Sequence, residues 1–248
     1  MIDTHCHLDD PRYQDIGGEL IRDIERAGIE KIVVPSTNPS SIEAVKFLAT
    51  LHPFIFPAYG IHPEEGTKIE LKYIDEIARF FDGHPVGEIG LDYFNEFCPR
   101  AKQADLFEVQ LAYAEKFGSP VIVHSRDAFD DTISIMSNFK IKKAVFHCFP
   151  YGKEEAKIVL DAGFHISFTG VVTFRKADKV RDTAAFCPIE RIMAETDGPY
   201  LAPMPFRGKL NMPSYIRYVI EKIADIKCLT FDKADEVLSA NAREFFGF

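Results

Sequence analysis

The sequence predicts a single (β/α)8 barrel, also called a TIM barrel, over residues 1–248. Short runs of apolar and β-branched residues recur eight times along the chain, and each is followed by a segment with helical spacing. The ends of successive runs are separated by close to the roughly 30 residues that one βα unit requires. The length of 248 residues also suits this fold, which typically contains about 250 residues. Eight successive βα units therefore favour a closed barrel.

The predicted strands are short apolar runs bounded by polar or turn-forming residues. In chain order they are Met1–His5, Ile32–Pro35, Phe54–Ala58, Val86–Ile89, Val121–His124, Ala144–His147, Phe164–Phe168 and Ile192–Thr196. The segment Ala101–Phe117 is typical of the intervening helices, because its apolar residues fall on one face and Gly118 follows as a stop signal. That apolar face consists of Ala104, Phe107, Leu111 and Ala114.

An open, doubly wound sheet is the alternative arrangement of alternating strands and helices. Its phosphate-binding GxGxxG pattern is absent after the first predicted strand, where the chain reads DTHCHLD instead. No composition shift, low-complexity tract or long Gly/Ser linker divides the sequence. We therefore expect one domain, and we prefer the barrel to the open sheet.

Composition and charge exclude several classes of protein. Hydrophobic residues make up 46% of the chain and charged residues 27%, which excludes a disordered or collagen-like protein. No run approaches the roughly 18–20 apolar residues of a membrane span, and no signal-peptide pattern opens the sequence, so we expect a cytoplasmic protein that does not engage membranes. Five scattered cysteines without a CxxC pair indicate neither a disulfide framework nor a thiolate zinc site. The net charge of −9 is opposite in sign to that of proteins that coat nucleic acid.

Histidine and carboxylate residues stand at the ends of five of the eight predicted strands. They are His5 and His7 where the first strand ends, Glu88 on the fourth, His124 on the fifth, His147 on the sixth and Asp197 after the eighth. In a parallel barrel these ends all lie on the carboxyl-terminal face, where active sites of this architecture occur. The alternative is that these are core polar residues that satisfy one another, but so many buried polar groups would require costly pairing.

The donor types predict a site for two divalent metal ions. Imidazole and carboxylate groups together suit zinc, manganese and similar ions, and the carboxylates also permit magnesium. We expect His5, His7 and Asp197 to hold one ion and His124 and His147 to hold a second, with Glu88 bridging them. Two ions about 3.5–4 Å apart can activate a shared water molecule and stabilise both the attacking and leaving oxygens of a displacement. The pattern therefore indicates a hydrolase.

Five motifs follow one another along the chain: IDTHCHLD, GEIGLDY, PVIVHSRDA, FHCF and MAETDGPYLAP. Their order and spacing resemble the TatD-like metal-dependent deoxyribonuclease family, a branch of the amidohydrolase-type metal barrels. The GIHP segment, the RGKLNMP segment and the closing NAREFFG extend the resemblance over essentially the whole chain. One departure is the PYG sequence after the HCF motif, where the family more often has a Ser-Gly pair, and it affects only the shape of that loop.

The resemblance implies roles for the six residues at the strand ends. All six are the metal ligands that the family pattern leads us to expect, and Asp197 is also the expected general base. Glu88 corresponds to a bridging ligand that many related barrels supply as a carbamylated lysine. The resemblance further implies divalent-metal-dependent deoxyribonuclease activity. Glu195, two residues before Asp197, is assigned no direct role at the metals.

Three further residues are predicted to contact substrate. His62, in the GIHP turn, could donate to a phosphate, although a plain turn histidine would look the same. Arg126 follows the expected ligand His124 by two residues and could clamp an oxyanion, the alternative being an ion pair with a nearby aspartate. Arg207 lies in the loop after the last strand, where a solvated charge is the commoner role.

The late loops carry a local positive charge. Residues 171–217 have a net charge of +3 in a chain whose total is −9. Such a basic rim could hold one or two nucleotides without gripping a duplex. Aromatic residues predicted in the loops of the same face could stack on bases. They are Tyr93, Phe94, Tyr151, Phe174 and Tyr200.

The leading hypothesis is therefore a hydrolase of DNA phosphodiester bonds that acts on single strands or strand ends, with DNA as its only expected partner and no obligate protein partner. One alternative is hydrolysis of a small-molecule ester or amide on the same metal site. An apolar pocket without His62, Arg126 and Arg207 would favour that chemistry. A second alternative is a barrel that binds ligand without turnover, against which the complete set of ligand residues argues.

Overall fold

The structure is a computed structural model that describes residues 1–95 and 97–248. Eight strands are present in the described residues, one at each predicted position. They are β1 (Ile2–Asp3), β2 (Lys31–Pro35), β3 (Ile55–Ala58), β4 (Val86–Asp92), β5 (Val121–Arg126), β6 (Ala144–Phe146), β7 (His165–Phe168) and β8 (Ile192–Ala194). A helix follows each strand in the chain, as the alternating pattern predicts.

The α-helices of the described residues begin and end where the sequence supplies caps. They are α1 (Gly17–Arg26), α2 (Pro39–Leu51), α3 (Lys72–Ile77), α4 (Arg100–Phe117), α5 (Phe129–Met136), α6 (Lys153–Asp161), α7 (Asp178–Phe186), α8 (Ile216–Lys227) and α9 (Phe231–Phe246). α4 ends at Gly118, whose φ of 69° lies in the left-handed region that glycine tolerates. The Thr230 side chain accepts a hydrogen bond from the Lys233 N–H and caps α9. None of these helices is long and apolar enough to cross a membrane.

The described residues form two compact units. The first comprises Met1–Val34, Leu48–Phe56 and Cys148–Phe248, and the second comprises Pro35–Phe47 and Pro57–His147. Each unit contains parallel strands with helices packed on them. One domain over the whole chain stays a prediction.

In the first unit, β7, β8, β1 and β2 lie side by side. β7 pairs in parallel with β8, and β1 pairs in parallel with β2. The Thr4 N–H donates to the Ala194 carbonyl at 3.2 Å and joins β1 to β8. Helix α9 packs against β8, and every residue of β8 is buried. Because parallel strands share a direction, the residues that follow β1 and β8 meet at one edge.

In the second unit, β4, β5 and β6 pair in parallel in that order. Every residue of β4 is buried, and helix α4 packs against it. Gly90 faces His124 on β5, with a φ of 146°, and a Cβ there would lie 1.9 Å from the His124 carbonyl oxygen. Only glycine fits at this crossing.

The predicted end of the fourth strand is wrong. The prediction ends it at Ile89, but β4 continues to Asp92, and β5 likewise continues past its predicted end at His124 to Arg126. The β4–β5 register shifts between Val86 and Ile89, and pairing then resumes. This irregularity and the missing side chain at Gly90 let β4 run three residues further than predicted.

Candidate metal centre

Two histidines and an aspartate come together in the first unit. The Nε2 atoms of His5 and His7 lie 3.2 Å apart. The Oδ1 atom of Asp197 lies 3.8 Å from Nε2 of His5 and 3.6 Å from Nε2 of His7. His5 is fully buried, while His7 and Asp197 are partly open to solvent. The structure therefore brings together the three residues that the sequence assigns to one ion.

The backbone after β8 positions Asp197. Its N–H donates to the His5 carbonyl at 2.8 Å, and its φ of 54° turns the chain sharply at this residue. Asp3 holds the preceding residue, because its carboxylate accepts from the Thr196 N–H at 2.9 Å and the Thr196 hydroxyl at 2.6 Å. Burial raises the pKa of Asp3 to about 7, although the hydrogen bonds from Thr196 act in the opposite direction.

Glu195 belongs to the same cluster, which the sequence interpretation missed. It is 1% exposed, and a carboxylate oxygen of Glu195 lies within 4.8 Å of a ring nitrogen of His5. The Cys148 N–H donates to its Oε1 at 2.6 Å, and the Thr4 hydroxyl donates to its Oε2 at 3.4 Å. The only signal in the sequence was proximity, because Glu195 precedes Asp197 by two residues, and both follow the end of β8 at Ala194.

In the second unit, one oxygen of Glu88 faces three imidazoles. Its Oε1 lies 2.7 Å from Nδ1 of His124, 2.7 Å from Nε2 of His147 and 3.7 Å from Nε2 of His62. Nδ1 of His124 and Nε2 of His147 are 3.2 Å apart. Glu88 is 3% exposed, so water screens its carboxylate little and the carboxylate interacts mainly with these rings. The structure thus brings Glu88, His124 and His147 together.

His124 is held from its far side by Asp92, which the sequence interpretation did not single out. Oδ2 of Asp92 lies 3.0 Å from Nε2 of His124, and its Oδ1 accepts from the N–H groups of Phe94 and Asn95. Burial disfavours a charged His124, but the hydrogen bonds with Asp92 and Glu88 outweigh it and raise the His124 pKa. Metal-binding histidines commonly have a carboxylate on the second ring nitrogen, which fixes the ring orientation. The sequence offered only the proximity of Asp92 to Glu88 in GEIGLDY, because the register shift between Val86 and Ile89 interrupts simple alternation along β4.

His62 joins the second cluster rather than standing apart in its turn. Its ring packs edge-on against His124 with centroids 4.5 Å apart, and its Nδ1 accepts from the Glu64 N–H at 3.3 Å. That hydrogen bond leaves Nε2 directed at Glu88. His62, Glu88 and His124 place their donor atoms within 4.8 Å of one another, so His62 is a candidate metal ligand as well as a candidate phosphate contact.

The two predicted arginines lie on aromatic rings. The Arg126 guanidinium, in the second unit, lies 3.7 Å from the centroid of the Phe94 ring, which is 59% exposed. The Arg207 guanidinium, in the first unit, lies 4.6 Å from the centroid of Phe174. Stacking leaves the guanidinium edges able to donate to an anion. Their contact with substrate stays a prediction.

The donor set fits metal ions. Two ligand atoms on one zinc-like ion lie about 3.0–3.4 Å apart, given metal–ligand distances of roughly 2.0–2.2 Å. The His5–His7 and His124–His147 nitrogen pairs, both 3.2 Å apart, match this separation. Each pair also has a carboxylate beside it, which supplies the negative charge that a divalent ion requires. The bridging role expected of Glu88 stays a prediction.

Comparison with known proteins gives relatives over the whole chain. A model of the family described as TatD related DNase matches residues 2–247. The metal-dependent hydrolase YabD of Bacillus subtilis is 34% identical over 99% of this chain and 98% of its own length. The metal-dependent hydrolase YcfH of Escherichia coli is 32% identical over 99% of this chain and 95% of its own length.

Solved structures agree with these relatives. YjjV, a TatD homologue from Escherichia coli, superposes with a TM-score of 0.94 at 27% identity and covers 100% of this chain and 98% of YjjV. A TIM-barrel protein from Bordetella bronchiseptica shares the fold alone, with a TM-score of 0.59 at 14% identity over 98% of this chain and 99% of that one. These matches confirm the predicted (β/α)8 barrel class and the predicted family. The chain belongs to the TatD family of metal-dependent hydrolases.

Proposed function

We propose that this protein hydrolyses phosphodiester bonds in DNA, on single strands or strand ends, with one divalent ion held on each of the two clusters. The observation that carries the proposal is the repeated donor geometry. Each unit contributes two imidazole nitrogens 3.2 Å apart with a carboxylate oxygen beside them. Each such site suits a divalent ion that polarises a phosphate oxygen and activates a water molecule.

The proposed reaction requires two roles from the residues of the two clusters: metal ligand and general base. His5, His7 and Asp197 would hold one ion, and Glu88, His124 and His147 would hold the other. Divalent ions bound there would polarise the phosphodiester and lower the pKa of a water molecule. Asp197 is partly open to solvent, so its carboxylate can take the proton from the attacking water as general base.

We assign phosphate recognition to three basic side chains, His62, Arg126 and Arg207. His62 directs Nε2 toward the Glu88 cluster, and Arg126 follows His124 on β5 with its guanidinium stacked on an exposed ring. Arg207 lies in the segment of residues 171–217, which carries a net charge of +3. The total charge of −9 disfavours a long duplex, because binding along a duplex depends on many phosphate contacts. A single strand or an end needs fewer contacts.

The test is a nuclease assay on protein stripped of metal and reloaded with Zn²⁺, Mn²⁺ or Mg²⁺. End-labelled single-stranded DNA should be cut faster than a blunt duplex, and closed circular single-stranded DNA shows whether an end is required. Metal titration should reach two ions per chain. The Asp197→Asn variant, purified in parallel, identifies any contaminating nuclease, and Asp182→Asn on an exposed face of α7 is the matched control.

Three results would overturn the proposal. Equal DNA cleavage by the wild type, Asp197→Asn and His5→Ala would assign the activity to a contaminant. Hydrolysis of a small ester or amide by the metal-loaded protein, with DNA untouched, would establish the small-molecule alternative. Metal binding without turnover of either substrate class would indicate a binding protein.

A further inference from the structure

A cavity of about 440 Å³ lies in the first unit, apart from the histidine pair. It is formed by the segment 148–150, the end of β7, the residues that follow it as far as Val180 on α7, and Arg207. Its volume falls within the roughly 300–1,000 Å³ of small-molecule sites. In TIM barrels the loops after the seventh and eighth strands often bind phosphate, and two walls of this cavity come from those loops.

The cavity has an apolar interior and a cationic rim. Phe149, Phe168, Val171 and Val180 supply apolar walls, and Phe174 stands at the side where Arg207 lies over its ring. Three cations line the opening, all exposed to solvent: Lys176, Lys179 and Arg207. None of the described lining residues is acidic. In a chain with a net charge of −9, this is a local concentration of positive charge. The cavity therefore suits a ligand with a flat apolar part and an anionic part.

Direct hydrogen bonds connect the cavity wall to the candidate metal ligands of the same unit. Glu195 accepts from the Cys148 N–H at 2.6 Å, and its own N–H donates to the Phe168 carbonyl at 3.2 Å. Glu195 also lies within 4.8 Å of a ring nitrogen of His5. One residue thus separates the wall of the cavity from the histidine pair. A ligand in the cavity would be placed beside the cluster.

We propose that this cavity holds one nucleotide of the DNA strand next to the bond that is cleaved. Its base would lie against Val171, Phe174 and Val180, which are partly exposed, over the buried rings of Phe149 and Phe168, and its phosphate would contact Lys176, Lys179 and Arg207. This inference rests on the proposed function and names the part of the substrate that this surface binds. Few polar side chains line the interior, Thr169 and Cys148 among them. The site should consequently accept different bases, as stacking surfaces for single strands do.

The binding test uses the full chain stripped of metal, so that it requires no turnover. Isothermal titration calorimetry at low salt compares thymidine 5′-monophosphate, thymidine and inorganic phosphate. The nucleotide should bind at least about fivefold more tightly than either fragment, because only it engages both the apolar wall and the cations. Phosphate binding as tightly as the nucleotide would reduce the site to a free-anion site and overturn the proposal.

Substitutions of lining residues test whether the nucleotide binds in this cavity. Lys176→Ala and Arg207→Ala should each weaken nucleotide binding about five- to tenfold, a modest loss because exposed charge contacts are screened. Arg175→Ala, an exposed cation beside Lys176 that does not line the cavity, is the matched control. Val180→Trp should fill the interior and abolish binding while circular dichroism reports an intact fold. Wild-type affinity in both Lys176→Ala and Val180→Trp would overturn the proposal.

A kinetic arm separates this inference from the proposed function. With metal-loaded protein, Arg207→Ala should raise KM for single-stranded DNA about fivefold while kcat stays within about twofold, because the contact binds the substrate without touching the reacting atoms. Nucleotide binding in the cavity with no DNA cleavage would overturn the proposed hydrolysis and support the nucleotide site. DNA cleavage that none of the cavity variants changes would overturn the nucleotide site alone.

Discussion

Oδ2 of Asp92 lies 3.0 Å from Nε2 of His124, on the other side of the imidazole from Glu88. The other Asp92 oxygen accepts two backbone N–H groups, from Phe94 and Asn95, so the carboxylate is itself fixed. His124 is thereby clamped with Nδ1 directed at Glu88 and His147. Asp92 is thus a positioning residue, since it acts through His124.

Replacing Asp92 should weaken metal binding. Asp92→Ala removes the carboxylate that orients His124, and losses of this kind typically amount to about 10- to 100-fold in metal affinity. Asp92→Asn keeps an acceptor oxygen and should lose less. Calorimetric titration of stripped protein with Zn²⁺ measures the effect, and Asp82→Asn at an exposed position is the control. Unchanged affinity in Asp92→Ala would show that the clamp has no role in metal binding.

The Asp197→Asn substitution should lower kcat at least about 100-fold without unfolding the protein. The amide is a poorer ligand than the carboxylate and cannot accept a proton, and general base catalysis alone typically contributes about 10² to 10⁴-fold. Turnover is measured at saturating divalent ion, with circular dichroism to verify the fold. A folded variant with near wild-type kcat, where His5→Ala prepared in the same way is inactive, would remove Asp197 from the mechanism.

Glu195→Gln should also impair the enzyme, which makes Glu195 unsuitable as a control for Asp197. The glutamine can still accept from the Cys148 N–H, but the negative charge within 4.8 Å of His5 is lost. We expect about a tenfold or larger loss of metal affinity, as for other carboxylates that support metal-binding histidines. The same zinc titration measures it. Wild-type affinity would confine Glu195 to a structural role.

Metal should stabilise the folded chain. An ion at about 100 times its Kd adds about 2.7 kcal/mol to the free energy of unfolding, which corresponds to a rise in Tm of roughly 5–10 °C for a chain of this size. Thermal unfolding with chelator and with Zn²⁺ measures the shift. His5→Ala and His124→Ala should each reduce it, whereas His52→Ala, whose ring stacks on Phe54, should retain it. An equal shift in all three variants would place the ion elsewhere.

Gly90→Ala should be strongly destabilising. A Cβ at this position would meet the His124 carbonyl oxygen at 1.9 Å, so β4 or β5 must move, at a cost of about 3 kcal/mol or more. Gly118→Ala is the matched control, because its φ of 69° is also positive but no heavy atom lies within 4 Å of the new Cβ. That variant should lose only about 1–2 kcal/mol. Urea unfolding measures both, and equal losses would show that the contact with His124 is relieved without cost.

Local patterns in the sequence were sufficient to predict the strands and the residue types at the centre. Apolar runs such as Val121–His124 and Ile192–Thr196 are dictated by burial, and each coincides with the start of a strand of the structure, β5 and β8. His5 and His7 could be paired from sequence because residues two apart on extended backbone point to the same side, although both lie beyond the end of β1 at Asp3. Their nitrogens are indeed neighbours, 3.2 Å apart.

Tertiary structure decided which carboxylates face which histidines. Asp92 reaches His124 because β4 shifts its register against β5 and then runs on, and Glu195 accepts from Cys148, 47 residues away in the chain. The Arg126 guanidinium lies over the Phe94 ring, 32 residues earlier in the chain. Arg207 likewise lines the same cavity as Lys176 and Lys179 although it is distant from them in sequence. A register shift of one residue reverses the side to which a strand residue points. Such shifts result from pairing and close packing between strands, as at Gly90, and these interactions exist only once the strands are assembled.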